Sequence, residues 1–241
     1  MIRVFAGKTN ASPTDKLVFF GPPPSPLFRE PIVRVSVTFT WDIEKGRHLH
    51  KLWSECSDDC QIGGPAFGDP GGEFVPGRFL TKGFTITSRG CPKKCEVCYA
   101  QKREGPIREL AIRDGWRVQD NNLLACSMKH IIAVFKMLLK QPLGASFPGG
   151  LDMDYLKPWH VDALKELQSK HKFCALWVAF DGPAGMKNLD KAKDLLADFS
   201  QERKFAYVLI GYDGDSLIKA ENRCARVYES GFLPFAMLID N

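Results

Sequence analysis

From residue 84 onward, short apolar runs alternate with amphipathic stretches, and this rhythm constrains the fold more than any other feature of the chain. The strand candidates are FTITSRG (84–90), WRVQDNN (116–122), GASFPGG (144–150), CALWVAFDG (174–182), KFAYVLIG (204–211) and FLPFAML (232–238). Between them lie MKHIIAVFKMLLKQ, PWHVDALKELQSKHK, NLDKAKDLLADFS and SLIKAENRCARVYES, whose apolar residues recur at helical spacing. Residues 98–113 supply the first crossover, with a weaker helical pattern. Strands alternating with helices imply parallel pairing through right-handed crossovers. Six such units form an open sheet or a partial barrel, and in both the function collects where strands end and loops begin.

Residues 1–83 have a different texture. IRVFAGK and KLVFFGPPPSP read as short strands ending in breakers, and PIVRVSVTFTWD as a strand over 32–40. A helix follows in DIEKGRHLHKLWSE, with Asp42 as its N-cap and Leu49, Leu52 and Trp53 on one face. IGGPAFGDPGGEFVPG, dense in Gly and Pro, reads as an ordered loop. With 44% hydrophobic and 25% charged residues the chain can bury a real core. Its net charge of +5 is compatible with anionic substrates, but no Lys/Arg run with interleaved aromatics gives a nucleic-acid footprint. No stretch approaches the ~18 apolar residues of a membrane span, and MIRVFAGKTN lacks the apolar core of a signal peptide. The expected location is cytoplasmic, where the eight cysteines are metal ligands or buried thiols rather than disulfides.

SRGCPKKCEVCYA (88–100) places Cys91, Cys95 and Cys98 within eight positions, right after the first strand candidate of the regular region. Gly90 and Pro92 flank the first thiol, so the chain bends and one loop can wrap a compact centre. A structural zinc site closes with four ligands, normally from two separated pairs. A [4Fe-4S] cluster offers four iron corners, and three thiolates leave one of them open, as a catalyst requires. Three other readings stand beside this one. Cys95 and Cys98 alone make a thiol redox pair; Cys56, Cys60 or a histidine completes a zinc site; or the centre is an inert iron–sulfur one. The last two amount to a non-catalytic metal-binding module.

Strand, Cys-x3-Cys-x2-Cys loop, then five further βα-type units resembles the radical S-adenosylmethionine superfamily, over residues 84–241. The resemblance implies an α/β protein with a partial (β/α)6 TIM-like barrel. It implies a [4Fe-4S] cluster on Cys91, Cys95 and Cys98, with S-adenosyl-L-methionine chelating the open iron. Reductive cleavage then yields a 5′-deoxyadenosyl radical that abstracts hydrogen from a substrate of unidentified class, small-molecule or nucleotide-like. A flavodoxin- or ferredoxin-type protein supplies the electron. The chain departs from the family pattern at Val97, where many members carry an aromatic residue; Tyr99 follows the last cysteine instead and takes the usual place of a backbone contact to adenine.

The resemblance also distributes the rest of the cofactor. In the family the second strand end meets the methionyl ammonium, often through Gly-Gly-Glu; here it reads QDNN, which implies Asp120 with Asn121 and Asn122 beside it. These residues are equally suited to capping the next helix. Gly149 and Gly150 end the third strand, where a backbone must approach something closely or simply turn, and Asp152 follows. Asp181 ends the fourth strand, within reach of a ribose hydroxyl or substrate. VLIGYDGD is similar to the family's adenine-packing segment, matched best by Ile210 and Gly211. Cys126, just past DNNLLA, is the candidate hydrogen donor to a substrate radical, or else a buried thiol at a helix start; Cys174 and Cys224 read as core. Residues 1–83 resemble a shortened start of a cobalamin-type member, but the Asp-x-His-x-x-Gly cobalt-ligand sequence is missing. The expected division is therefore an N-terminal α/β extension over 1–83, a reduced cap, and the barrel over 84–241.

Overall fold

The structure, a computed structural model, describes residues 1–25, 27–95, 98–171, 175–180 and 188–239. Cys174 and Asp181 lie outside the described residues.

The N-terminal region builds a four-stranded parallel sheet from β1 (Ile2–Phe5), β2 (Val18–Phe19), β3 (Glu30–Ser36) and β4 (Ser57–Gly63), in the order β2-β1-β3-β4. Helix α1 (Ile43–Ser54) carries the chain from β3 to β4. Its Leu49 and Trp53 are buried against Ile2, Val4, Val33 and Val35. Trp53 lies between the rings of Phe19 and Phe28 and donates from Nε1 to the Gly21 carbonyl at 2.9 Å. Asp42 does occupy the N-cap position of α1, but its side chain makes no capping bond. The expected strand 32–40 is shorter at its far end, because the chain leaves the sheet after Val37 donates to the Gly63 carbonyl and winds into a 3-10 turn at Thr40–Asp42. Sequence reading gave no strand at Ser57–Gly63. SDDCQIG has no apolar alternation, since this is an edge strand fixed by backbone pairing to β3 and by an Arg34–Asp59 ion pair of 2.7 Å.

The remaining elements are β5 (Phe84–Thr85), β6 (Ser88–Arg89), α2 (Tyr99–Glu104), β7 (Arg108–Glu109), β8 (Arg117–Val118), α3 (Met128–Leu138), α4 (Pro158–His171), β9 (Leu176–Phe180), α5 (Leu189–Leu195), β10 (Lys204–Ile210), α6 (Leu217–Glu229) and β11 (Leu233–Leu238). β5 pairs parallel with β8, and β9, β10 and β11 form a parallel sheet. Single parallel bridges join Arg117 to Ser146, Ser146 to Ala175 and Leu151 to Val178. From β5 to β11 parallel neighbours therefore follow chain order, in a mixed α/β protein.

Two expectations need correction. The strand expected at 144–150 is reduced to isolated bridges, because Pro148 has no N–H to donate and Gly150 turns the chain at φ 83°. Pairing is also not wholly parallel. The crossover 98–113 contains only the short α2, which stops at Gly105 (φ 75°) and Pro106, and β7 then returns antiparallel to β6.

Alternate residues of β9 and β10 (Leu176, Val178, Phe180, Ala206, Val208) are fully buried against helical residues such as Leu164, Leu189 and Val227. This is the period of two that their sequence shows. A second cluster, around Trp53, packs the N-terminal sheet. No helix of the described residues is long and apolar enough to cross a membrane.

Candidate functional site

The cysteine loop begins with a forced bend. Gly90 has φ 83°, and a Cβ there would lie 2.2 Å from the Pro106 carbonyl oxygen and 2.6 Å from that of Gly105. Only glycine allows this approach, and it lets the Cys91 N–H donate to the Gly105 carbonyl at 3.1 Å. At the other end the Cys98 N–H donates to the Cys95 carbonyl at 3.2 Å, and Cys98 stands at the head of α2. Cys91 and Cys95 are half-buried and Cys98 is exposed. Glu96 and Val97 lie outside the described residues.

Four contacts tie this loop to the ends of the next two strand positions. The Gly90 N–H donates to Asn121 Oδ1 at 3.0 Å. Asn122 Nδ2 donates to Cys91 Sγ at 3.4 Å and to Asp152 Oδ2 at 2.9 Å. Lys93 donates to Asp152 Oδ1 at 2.7 Å and pairs with Asp154. Burial works against the Lys93 ammonium, but the two carboxylates outweigh it and hold its pKa above the ordinary lysine value. Lys93 likewise holds Asp154 below the usual carboxylate range. Asn122 is buried, and its Oδ1 has no hydrogen-bond partner among the described residues. An unpaired buried acceptor is costly, so this oxygen suits a donor group brought in by a ligand.

Asp120 is committed elsewhere. Its carboxylate accepts from the Thr87 N–H at 2.6 Å, the Thr87 hydroxyl at 2.6 Å and the Ser88 hydroxyl at 2.8 Å, all buried. Burial pushes its pKa up, while these bonds oppose the shift. His130 Nε2 lies 3.3 Å from the Thr87 hydroxyl, and Cys126 lies near Ser88. Burial pushes that thiol up to about 12. The two glycines divide the alternatives that the sequence leaves open. A Cβ on Gly149 would lie 2.1 Å from the Asp120 carbonyl oxygen, so its close approach is to the neighbouring strand end, whereas Gly150 is a positive-φ turn.

Tyr99 is exposed, with Lys102 5.6 Å from its ring centre. Ile210 closes β10, and the Gly211 N–H (φ 78°) donates to Asp215 at 2.9 Å. The structure thus brings Cys91, Asn122 and Asp152 together. Tyr99 lies on α2, and Ile210 and Gly211 end β10, four positions from β5 in the pairing order. Among the described residues, no three His, Cys, Asp or Glu side chains are gathered as a metal ion requires. The three thiols share a loop but are not converged on one point. Cys56 is buried in the N-terminal core, with its thiol directed to the Leu52 and Trp53 carbonyls, and Cys60 points to the His50 carbonyl.

Sequence reading missed Lys93 and Glu104. Glu104 is buried, with Arg89 at 3.3 Å, Arg103 at 3.1 Å and Arg108 at 3.5 Å, and so anchors α2 to β6 and β7. Lys93 has no spacing signal, because Asp152 and Asp154 reach it only across the fold; Glu104 has Arg103 and Arg108 close in sequence, but its burial and its Arg89 partner come from the fold. No protein-family model matches the chain, and no curated protein matches it.

Proposed function

We propose that the protein is a radical S-adenosylmethionine enzyme whose [4Fe-4S] cluster is held by Cys91, Cys95 and Cys98. The observation that carries this reading is the position of the Cys-x3-Cys-x2-Cys loop. It follows β5 and β6, the first strand segments of the second region, and is tied to the next two strand ends through Asn121, Asn122 and Asp152. The donor set fits: three soft thiolates on one short loop suit an iron–sulfur centre better than a hard cation. The orphaned Asn122 Oδ1 beside Cys91 suits the ammonium of the cofactor's methionyl part. The chain-order pairing from β5 to β11 supports a partial (β/α)6 barrel over 84–241, with 1–83 as an α/β extension.

The cluster and S-adenosyl-L-methionine together supply a 5′-deoxyadenosyl radical for hydrogen abstraction. The chain's own residues do the rest. Lys93 clamps the loop to Asp152 and Asp154, and Gly90 fixes the direction of Cys91. The neutral Cys126 thiol keeps a hydrogen to give. Lys94 and Lys102 are exposed beside the loop and suit an acidic flavodoxin- or ferredoxin-type donor.

Anaerobic reconstitution tests the proposal. About four irons and four sulfides per chain are expected, the content of one cubane. Cys91→Ala, Cys95→Ala and Cys98→Ala should each lose them, and Cys224→Ala should not. The loaded, reduced protein should release 5′-deoxyadenosine from S-adenosyl-L-methionine. Stoichiometric zinc without iron would replace this reading with a non-catalytic zinc module.

A further inference from the structure

The sheet of β9, β10 and β11 ends on an open side. β11 pairs with β10, and among the described residues no strand lies along its outer side. The Ile239 N–H donates to the Ile210 carbonyl at 3.0 Å, which turns the backbone groups of alternate residues the other way. The C=O groups of Pro234, Ala236 and Leu238 and the N–H groups of Ala236 and Leu238 therefore face outward. Natural edge strands are commonly guarded by charged side chains. β11, LPFAML, carries none, and its one guard is Pro234, which has no N–H to offer. Phe235 and Met237 are 52% and 41% exposed on one face of the strand. Leu238 is 73% exposed on the other, the face on which α6 packs.

α6 continues this open side in the helical layer. Its Arg226 pairs with Asp190 of α5 at 4.0 Å, so that flank faces α5 and the middle of the sheet. At about 100° per residue, Leu217, Cys224 and Tyr228 lie on the opposite flank, toward the β11 edge. Leu217 is 75% exposed and Tyr228 56%. At roughly 200 Å² per residue, Leu217, Tyr228, Phe235, Met237 and Leu238 leave on the order of 600 Å² uncovered. That is the upper end of what monomers expose, and most of the roughly 800 Å² that each partner brings to a standard interface.

We propose that this side receives a second copy of the chain, with β11 pairing antiparallel to β11 of the copy about a two-fold axis and the two α6 helices side by side. One axis serves both layers. α6 and β11 are each about 20 Å long and run alongside in opposite directions, so their midpoints coincide near Cys224 and Ala236. About that axis the two Ala236 residues exchange two hydrogen bonds, and each Leu238 N–H meets the Pro234 carbonyl of the copy. The N–H that Pro234 lacks leaves only the Leu238 carbonyl without a donor. Phe235 falls opposite Met237 of the copy, twice over, as a sulfur–aromatic pair. Glu221 lies on the Leu217–Tyr228 flank, and about the same axis it meets the Tyr228 hydroxyl of the copy. This self-complementarity favours a copy over an unrelated strand, and β11 has no charge to repel its own image. The surface is present whether or not the thiol loop carries a cluster.

Sedimentation of the full chain in reductant tests the pairing. A reversible dimer with a dissociation constant of about 10 µM or tighter is expected. Ala236→Pro removes the outward N–H on the axis but none that β10 uses, so it should weaken the dimer about tenfold or more, half of the edge hydrogen bonds being lost. Met237→Lys, which sets a charge against Phe235 of the copy, should do the same. A short bismaleimide should join Cys224 to Cys224 across helices about 8–10 Å apart, with the linkage located by mass mapping and absent in Cys224→Ser. That linkage decides the matter even if an edge variant does not fold. A monomer at about 100 µM, a dimer that both edge variants leave intact, linkage through other cysteines only, or an open-ended series of oligomers would each overturn the proposal, the first leaving the edge to a strand of another protein.

Discussion

The knot around Asp120 gives the sharpest quantitative expectation. One carboxylate, 2% exposed, accepts three hydrogen bonds from Thr87 and Ser88, which are themselves fully buried. In Asp120→Ala the two hydroxyls can turn, Thr87 toward His130 Nε2 at 3.3 Å and Ser88 toward the Cys126 thiol. The Thr87 amide cannot turn. A stranded buried donor costs about 1–3 kcal/mol, and the loss of charge-assisted bonds to the hydroxyls adds to it, so a total of about 2–5 kcal/mol is expected. Asp120→Asn keeps an acceptor for the amide but puts an NH2 where both hydroxyls now donate, so both must reverse, and it should cost about 1–3 kcal/mol. The pH dependence has a definite sign. Burial raises the folded-state pKa of Asp120 above its ordinary value of 3.8, so the folded state holds this proton more tightly. Wild-type stability from this group is full below the unfolded value and falls as pH rises through the folded one. Asparagine has no such loss, so the penalty of Asp120→Asn should shrink as pH rises from about 4 toward neutrality. Urea unfolding midpoints of the apo proteins, with unchanged slopes, provide the measurement. A penalty that grows with pH would refute the raised pKa of Asp120, and an Asp120→Ala cost below about 0.5 kcal/mol would refute the idea that this side chain holds these strand ends together.

Gly90→Ala should cost about 1–2 kcal/mol from the left-handed backbone alone, and more from the contact with Pro106; a fall in bound iron well beyond the fall in folded fraction is expected, because Cys91 is displaced. Asn122→Leu should weaken S-adenosyl-L-methionine binding in a calorimetric titration while leaving the iron content unchanged, since Asn122 offers an unpaired Oδ1 and is not a ligand. Iodoacetamide at pH 8 should alkylate the exposed Cys98 of the apo protein readily and Cys126 slower by about two orders of magnitude or more, because the thiolate is the reactive form and Cys126 is held near 12. Mass mapping of the alkylated peptides reads the ratio, and equal rates would show that the Cys126 thiol is not buried as described.

How much of this was legible in the sequence follows from the range of each interaction. Local periodicity marks β9, β10, α3 and α6, because their buried residues recur at two or near 3.6 and pack on a common core. The polar edge strand β4 has no such pattern and is fixed by its backbone pairing to β3. The antiparallel return of β7 depends on a glycine–proline stop and on a buried Glu104 that joins Arg89 of β6 to Arg103 and Arg108 near it in the chain. The thiol loop was visible because its three cysteines are close in sequence, whereas its clamp was not, since Lys93 and Asp152 are brought together only by the fold.

The strand end QDNN shows why residue type alone assigns such a site poorly. A carboxylate is the obvious partner for an incoming ammonium, and Asp120 is the only acid of the three. Yet a buried carboxylate attracts every donor in its surroundings, and here Thr87 and Ser88 already fill it. Two positions on, Asn122 carries no charge but spends its Nδ2 on Cys91 and Asp152 and leaves Oδ1 unpaired. The residue with spare bonding capacity is therefore the weaker acceptor, and a ligand donor reaching this strand end meets Asn122 without breaking the knot. Asp120 then acts through position: it fixes the strand ends from which Gly90, Cys91 and Asn122 extend. The two roles separate experimentally, since loss of Asp120 should lower stability and ligand binding together, while loss of the Asn122 oxygen should lower binding alone.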